Sequence, residues 1–146
     1  HGSCQLGGGG YLSVGEHGAL DIADGVVVND LSKIICFHKI VFGKNMAAGW
    51  ECTFMDTDFH AMKNVLTRAK SKAYAPIIIG DNCWFASNCI ILKGTKIPTY
   101  TTVSAGSVLS GAYDCCDKTI LRGNPAQPIL PGFLYRDRED DKVEYD

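Results

Sequence analysis

The chain has 146 residues and 46% of them are hydrophobic, which predicts a single domain with a substantial core. The formal net charge of −2 argues against a general nucleic-acid binder. No apolar run approaches the ~20 residues that a membrane-spanning helix needs, so we expect no membrane insertion.

Residues 1–11 are rich in glycine and predict no regular element. From Val14 onward, bulky apolar residues recur at intervals of six, although the first part of this pattern is blurred. The early members form two sets of three, separated by a two-residue slip near His38: Ile22, Val28 and Ile34, then Phe42, Ala48 and Phe54.

An insertion interrupts the pattern after Phe54. The next step of six would fall at position 60, but the next residue that continues the column is Ile79. We therefore predict that the chain leaves the repeat as an inserted loop over 60–78. The loop contains no acid, and its basic residues are Lys63, Arg68, Lys70 and Lys72. It is either a solvated basic face or a functional loop on a rigid scaffold.

Residues 79–109 hold the six-residue pattern without a break. Its bulky members are Ile79, Phe85, Ile91, Ile97, Val103 and Leu109, and the small fifth positions are Cys83, Cys89, Thr95, Thr101 and Ser107. A period of six fits neither a helix nor a simple strand, and it is the signature of a parallel β-helix. Each step is a strand plus a corner, and coils stack at the ~4.8 Å spacing of paired strands. The short strands of an ordinary sandwich would have no reason to keep one period.

We therefore predict an all-β single domain, 1–146, that contains a parallel β-helix of about four to five triangular coils. The β-helix covers 14–112, apart from the loop at 60–78, and a C-terminal segment follows over 113–146. The spacing predicts three stacked columns: Ile22, Phe42, Ile79 and Ile97; Val28, Ala48, Phe85 and Val103; and Ile34, Phe54, Ile91 and Leu109. In the C-terminal segment, Pro125, Pro128 and Pro131 argue against a regular ladder. The tail beyond them predicts a short helix or disorder, without chemistry.

The segments IIIGDNCWFASNCIILKGTKI, AGSVL and LRGNPAQPI resemble the left-handed β-helix (hexapeptide-repeat) acyltransferases, and among them the sugar and polysaccharide O-acetyltransferases. The resemblance covers about 22–129. It implies left-handed coils, whereas the usual preference for parallel strands is a right-handed crossover. It also implies a homotrimer, acetyl-CoA as co-substrate without a metal, and a small-molecule or glycan hydroxyl as acceptor.

The segment MDTDFH ends at the root of the inserted loop and looks like the segment that carries the catalytic histidine of the family. An isolated histidine is more often structural than catalytic. Imidazole titrates near pH ~6.5, however, and can take a proton from a hydroxyl at neutral pH. The resemblance implies that His60 is the general base. Asp58 would hold its ring, with Asp56 as the rival for that role and as a candidate acceptor contact.

Other site residues are implied by the same resemblance. Trp84, expected at an outer corner, would line the acceptor or cofactor pocket, unless it is an oligomer contact. Three small residues would form the wall along which pantetheine lies, or only a tight turn: Ser104, Ala105 and Gly106. Gln127 stands where many relatives carry a basic residue. The charge for the coenzyme phosphates would then come from Arg122, Lys93, Lys96 or the loop.

The predicted columns place His60 and Trp84 on different edges of one prism. A single chain can bring them into one pocket only if the loop folds back. Packing of three prisms about a threefold axis would instead place His60 of one subunit beside Trp84 of the next, because such head-to-tail contacts close into a ring.

Cysteine usage predicts the compartment. The seven cysteines contain no C-x-x-C pair, and we interpret all of them as reduced thiols of a cytoplasmic protein: Cys4, Cys36, Cys52, Cys83, Cys89, Cys115 and Cys116. No signal peptide is recognisable, although the chain begins with His1 rather than Met, which leaves its natural start open.

Other functions on the same scaffold stay open. Serine or aminosugar N-acetylation would use the same fold, and a β-helix can also serve as a scaffold without catalysis. A zinc enzyme like the γ-type carbonic anhydrases would need three histidine ligands, for which the candidates are His17, His38 and His60.

Overall fold

The computed structural model describes residues 3–114, 117–129, 134–137, 139–140 and 142–145, and every regular element within them is a strand. The strands are β1 (Gln5–Leu6), β2 (Tyr11–Val14), β3 (Ala19–Ile22), β4 (Val27–Val28), β5 (Lys33–Cys36), β6 (Lys39–Phe42), β7 (Ala47–Ala48), β8 (Thr53–Met55), β9 (Ile77–Ile79), β10 (Trp84–Phe85), β11 (Ile90–Leu92), β12 (Lys96–Ile97), β13 (Thr102–Val103), β14 (Val108–Leu109), β15 (Ile120–Gly123) and β16 (Ala126–Ile129).

The strands form three sheets, which we call faces A, B and C. Face A has the order β1-β4-β7-β10-β13-β15-β16, face B has β14-β11-β8-β5-β2, and face C has β12-β9-β6-β3. The chain visits A, B and C in turn, and the strands pair in parallel except for β15 with β16. Four coils have a strand on each of the three faces. Strands β13 and β14 belong to a fifth turn and β15 begins a sixth, so the protein is a β-solenoid of about six turns. The predicted all-β parallel β-helix is confirmed, and the hand of its winding stays a prediction.

The three predicted columns are confirmed by the strand register. Ile22, Phe42, Ile79 and Ile97 are successive partners on face C. Val28, Ala48, Phe85 and Val103 are partners on face A, and Ile34, Phe54, Ile91 and Leu109 on face B. The column positions fill the prism because they recur at the same place on every coil.

One phenylalanine from each face meets in the centre of the prism. The ring centroid of Phe54 lies 4.9 Å from that of Phe42 and 5.4 Å from that of Phe85, and both pairs are edge to face. All three side chains are fully buried. Such aromatic pairs add about 0.5–1.5 kcal/mol each beyond the burial of their area.

Small residues before several of the strands close the corners. The Ser107 hydroxyl donates to the Ser104 carbonyl at 2.6 Å, and the Thr95 hydroxyl donates to the Leu92 carbonyl at 2.7 Å. Both hydroxyls are buried, so these bonds satisfy polar groups that would otherwise destabilise the fold.

The insertion leaves the prism earlier than the sequence pattern indicates. Strand β8 ends at Met55 and β9 begins at Ile77, so the excursion, which we call the arm, covers 56–76. The arm is a loose antiparallel hairpin with bridges between Thr57 and Tyr74 and between Lys63 and Lys70. The turns of the solenoid likewise begin at β1, ahead of Val14, where the apolar pattern is too blurred to be read.

The C-terminal segment differs from the expectation. The prolines were expected to prevent a ladder, but β15 and β16 form an antiparallel hairpin in which Pro128 pairs with Leu121. An edge strand such as β16 tolerates the missing N–H of proline. The described parts of 134–145 form neither helix nor strand. Pro131, Cys115 and Cys116 lie outside the described residues.

Within the described residues, no helix is long and apolar enough to cross a membrane.

Candidate functional site

Asp56 fixes the edge of the prism at which the arm begins. This residue follows β8 and is fully buried. Its two carboxylate oxygens accept the backbone N–H groups of Phe37 and His38, each at 2.8 Å. A carboxylate that is buried and bonded in this way is turned away from any acceptor. We therefore correct the expected acceptor contact: Asp56 holds the corner of the preceding coil, between faces B and C.

His60 lies on this edge, with its side chain exposed. The residue before it is anchored twice. The Phe59 ring packs edge to face on Phe37 at 5.0 Å, and the Phe59 N–H donates to the Thr57 hydroxyl at 3.0 Å. Phe59 adopts a φ of 59°, the left-handed region that a bulky side chain rarely occupies. The backbone at the base of His60 is thus held in a specific and strained conformation.

Asp58 contacts a lysine rather than His60. Its Oδ2 atom lies 2.6 Å from Nζ of Lys93, at the corner that follows β11. Lys93 also donates to the Lys72 carbonyl at 2.8 Å. Among the described residues, no hydrogen bond or ion pair joins Asp58 to His60. Because catalytic hydrogen bonds often tighten only when substrate binds, direct orientation of His60 by Asp58 stays a prediction.

The remainder of the arm is exposed and basic. The predicted basic residues Lys63, Arg68, Lys70 and Lys72 all reach solvent. Three large apolar side chains of the arm are also exposed: Met62, Val65 and Leu66. Tyr74 packs on His38, with their ring centroids 4.7 Å apart, and Nζ of Lys72 lies over the Tyr74 ring. The ring contacts between the arm and the prism therefore lie at the root of the arm.

A groove of about 800 Å³ lies on the outer side of face A. Trp84, which is 37% exposed, lies in the strand β10 rather than at a corner, where the sequence pattern placed it. Trp50, which is 58% exposed, stands one coil away and also lines the groove. Trp50 was not among the residues predicted to line a site. The available signal was a second tryptophan, in the segment GWEC. It occupies a corner position that is not a column position and therefore faces solvent. The tail contributes Leu134, Tyr135, Arg136, Val143 and Tyr145 to the groove.

Ser104, Ala105 and Gly106 form the corner between faces A and B that follows β13. Gly106 has a φ of 70°, and a Cβ added to it would meet nothing within 4 Å. The outer surface here is open enough for an extended ligand to approach the backbone. The predicted pantetheine wall is therefore sterically possible, and it stays a prediction.

Arg122 and Gln127 face each other across the β15–β16 hairpin, and both side chains are exposed. The structure thus brings the predicted phosphate contact next to the position where many relatives carry a basic residue. Face A and its edge carry Trp84, the corner 104–106 and Arg122, whereas His60, Asp58 and Lys93 lie at the edge between faces B and C.

Two of the buried thiols, those of Cys36 and Cys83, are poor nucleophiles. Burial, with a contribution from the Asp56 carboxylate, raises the pKa of the Cys36 thiol to about 11. Burial raises the pKa of Cys83 to about 12. Because the thiolate is the reactive form, neither residue is suited to form an acyl-enzyme at neutral pH.

The described cysteines are free, and they are Cys4, Cys36, Cys52, Cys83 and Cys89. Within the described residues, no group of three or more His, Cys, Asp or Glu side chains is placed to hold a metal ion. His17, His38 and His60 are therefore not assembled as the ligand set that the zinc alternative requires.

No protein family model matches the chain. It is 24% identical over 120 residues to WbbJ of Escherichia coli K12, a protein provisionally named as a lipopolysaccharide biosynthesis O-acetyl transferase. That match covers 77% of this chain and 60% of the relative. A provisionally named acetyltransferase of Schizosaccharomyces pombe, C18B11.09c, is 28% identical over 110 residues, which covers 62% of this chain and 52% of the relative. The chain thus spans little more than half the length of these curated relatives.

Solved structures match more of the chain. The polysialic acid O-acetyltransferase OatWY matches with a TM-score of 0.77 and 22% identity over 97% of this chain and 64% of its own. The fold is that of the hexapeptide-repeat acyltransferases. A galactoside acetyltransferase in complex with coenzyme A shares this hexapeptide-repeat fold, with a TM-score of 0.56 and 20% identity over 90% of this chain and 72% of its own.

Proposed function

We propose that the chain is an acetyl-CoA-dependent O-acetyltransferase that acts on a hydroxyl group of a sugar or glycan. One observation carries the proposal: on a hexapeptide-repeat scaffold, an exposed histidine stands on an anchored backbone where the arm leaves the prism. The name of WbbJ supports O-acetyl transfer as the reaction, and the name of C18B11.09c supports acetyl transfer without specifying the acceptor atom.

The proposed mechanism is direct transfer. His60 accepts the proton of the acceptor hydroxyl, and the hydroxyl oxygen attacks the thioester carbonyl carbon. The tetrahedral intermediate collapses as the carbon–sulfur bond breaks, and the proton held by His60 passes to the departing coenzyme A thiolate. Backbone N–H groups would stabilise the oxyanion, as this chemistry generally requires. The raised pKa values of Cys36 and Cys83 disfavour a thioester formed on either of these two residues.

Acetyl-CoA is the proposed donor, and no metal is required. The coenzyme A complex of a fold neighbour supports a coenzyme A thioester as co-substrate. The corner 104–106 offers an open surface for pantetheine. Arg122, together with the basic residues of the arm, would provide positive charge for the phosphates, because Gln127 carries none.

The acceptor would lie against the tryptophans of face A. Trp84 and Trp50 present apolar ring surface in a groove that also contains the polar residues Asn29, Ser87 and Thr102. A sugar has apolar and polar faces, and a groove with aromatic walls and a few polar groups suits such a ligand. Trp50 is thus added to Trp84 as a proposed acceptor contact.

We propose a homotrimer with the site shared between subunits. His60 stands at the edge between faces B and C, whereas Trp84 stands on face A. Within one subunit, the body of the prism therefore lies between the two residues. A head-to-tail ring would bring the arm of one subunit to face A of the next. His60→Ala and Trp84→Ala subunits, each inactive alone, should regain activity when mixed and exchanged. A fully active monomer would contradict the shared site.

We also propose a cytoplasmic location. The described cysteines are unpaired, as is usual for proteins in a reducing compartment. Measurement of free thiols in protein isolated under alkylating conditions tests this, because paired cysteines would contradict it.

The function is tested by release of coenzyme A from acetyl-CoA, measured with sugars, glycans, aminosugars and serine as acceptors. We expect acceptor-dependent release and an O-acetyl ester in the product. An amide product would instead establish N-acetyl transfer. Binding of acetyl-CoA without turnover on any acceptor would favour a scaffold without catalysis.

A further inference from the structure

We propose that Lys93 is a positioning residue, which fixes the root of the arm and thereby the location of His60. The inference rests on the proposed function. The Lys93 ammonium contacts Asp58 on the outgoing side of the arm at 2.6 Å, and it donates to the carbonyl of Lys72 on the returning side at 2.8 Å. One side chain from the rigid prism thus holds both sides of the arm. We call this arrangement the arm latch, formed by Asp58, Lys72 and Lys93.

The latch adds a side-chain contact from the following coil to the contacts that join the arm root to the preceding coil. Asp56 bonds to that preceding coil through its carboxylate and its N–H, and two ring contacts also reach it. Between the two sides of the arm, the Asp58 N–H donates to the Ala73 carbonyl at 2.8 Å and the Ala75 N–H donates to the Asp56 carbonyl at 3.1 Å. Every residue from 58 to 72 is exposed. His60 is only two residues beyond Asp58, so any displacement of Asp58 moves the imidazole. A displacement of about 1 Å can reduce the rate about 10²-fold, because proton transfer requires close alignment.

The contacts of the latch also bear on which of two roles Lys93 has, phosphate binding or positioning. The sequence left Lys93 as a possible partner of the coenzyme phosphates. Its ammonium already contacts a carboxylate and a carbonyl, and its side chain is only 25% exposed. Loss of a phosphate contact would raise the KM for acetyl-CoA, whereas loss of positioning would lower kcat. The two roles therefore give opposite kinetic signatures.

The test uses Lys93→Met, which removes the charge but retains an unbranched stem, and Lys93→Arg, which keeps the charge. Asp58→Asn and the Asp58→Asn/Lys93→Met double variant complete a double-mutant cycle. The matched control is Lys39→Met, which breaks an exposed ion pair with Asp21 at 3.8 Å on face C. Each variant is measured for kcat, for the KM of acetyl-CoA, and for the rate of limited trypsin cleavage after Lys63, Arg68 and Lys70.

We expect Lys93→Met to lower kcat about 10- to 100-fold, with the KM within about twofold, and to accelerate cleavage of the arm. Lys93→Arg should recover part of kcat, and the double variant should be no slower than Lys93→Met alone. Behaviour of Lys93→Met like that of Lys39→Met in both measurements would overturn the proposal. So would a raised KM with unchanged kcat. An inactive wild-type protein would overturn the proposed function instead, and the cleavage rates would still decide whether the latch holds the arm.

Discussion

Phe54 and Phe59 are five positions apart, yet they belong to regions that are held in different ways. Phe54 is fully buried and lies between two other phenylalanines in the prism, whereas Phe59 is exposed on the arm and contacts one ring. In the prism, the strand residues of the inner coils have a register partner in the coil on either side, as Phe54 has in Ile34 and Ile91. Among the described residues, the arm has contacts to the prism at its root only, and beyond the root its two sides bond to each other. A substitution in the prism should therefore cost stability, and a substitution at the arm root should cost activity.

The largest expected effect is the loss of activity in His60→Ala. Removal of a general base typically lowers the rate about 10²–10⁴-fold. The side chain is exposed, so the thermal midpoint should barely change. Steady-state turnover and thermal unfolding measure the two effects, with His17→Ala, an exposed histidine of the first coil, as the control. Near-wild-type turnover of His60→Ala would remove this residue from the mechanism.

The converse substitution is Phe54→Ala in the prism. Loss of a buried phenylalanine leaves a cavity between the remaining two rings and should reduce the free energy of unfolding by about 3–5 kcal/mol. Urea denaturation measures this change. Leu66→Ala on the arm is the control, and because this side chain is 89% exposed its effect should be within about 0.5 kcal/mol. Equal destabilisation by both variants would contradict the division between prism and arm.

The same division explains how much could be predicted from the sequence. The columns were predictable because a fixed period of six is repeated in every coil, and the register places Phe54 and its partners as the spacing requires. The contact between Asp58 and Lys93 was not predictable, because a single pair far apart in the sequence leaves no periodic signal. Likewise, the pairing of Pro128 depends on its lying in an edge strand, which the position of a proline alone does not reveal.

Within the proposed site, the position of His60 at the start of an insertion could be predicted from the sequence, but the partners of Asp56 and Asp58 could not. Both Asp56 and Asp58 were candidates to orient the histidine. The structure assigns Asp56 to two backbone N–H groups and Asp58 to a lysine. Such a distinction depends on which groups the neighbouring coils present, and that is set by tertiary packing rather than by local sequence.

A smaller effect is expected from the charges of the arm. Lys63→Gln combined with Lys70→Gln should raise the KM for acetyl-CoA a few-fold at low salt, with little change in kcat, if the arm attracts the coenzyme phosphates. The difference should shrink at high salt, because exposed charges are screened within ~10 Å at 0.1 M. Lys33→Gln with Lys44→Gln, two exposed lysines of the prism, is the matched control. An unchanged KM at low salt would leave the arm charges as a solvated face.

An effect that is absent at neutral pH and appears only in alkali is a loss of stability of the prism. The Cys83 thiol is buried and lies 3.1 Å from the Pro98 carbonyl, and burial raises its pKa to about 12 from an ordinary value of 9.0. Between these two pH values the unfolded chain has lost the thiol proton while the folded protein retains it. The unfolded state then binds fewer protons, so stability falls as pH rises.

Stability is unaffected by this thiol below pH 9, and it should decline from there towards pH 12. Cys83→Ala removes the titrating group, so its unfolding free energy should decline less steeply than that of the wild-type protein over the same range. Urea denaturation at stepwise pH measures the two slopes. Cys4→Ala, at an exposed thiol near the start of the chain, is the control and should leave the slope unchanged. Identical slopes for Cys83→Ala and wild type would contradict the raised pKa of Cys83, because the thiol would then ionise equally in the folded and the unfolded state. Water would in that case reach the corner that holds Cys83, as it reaches the arm.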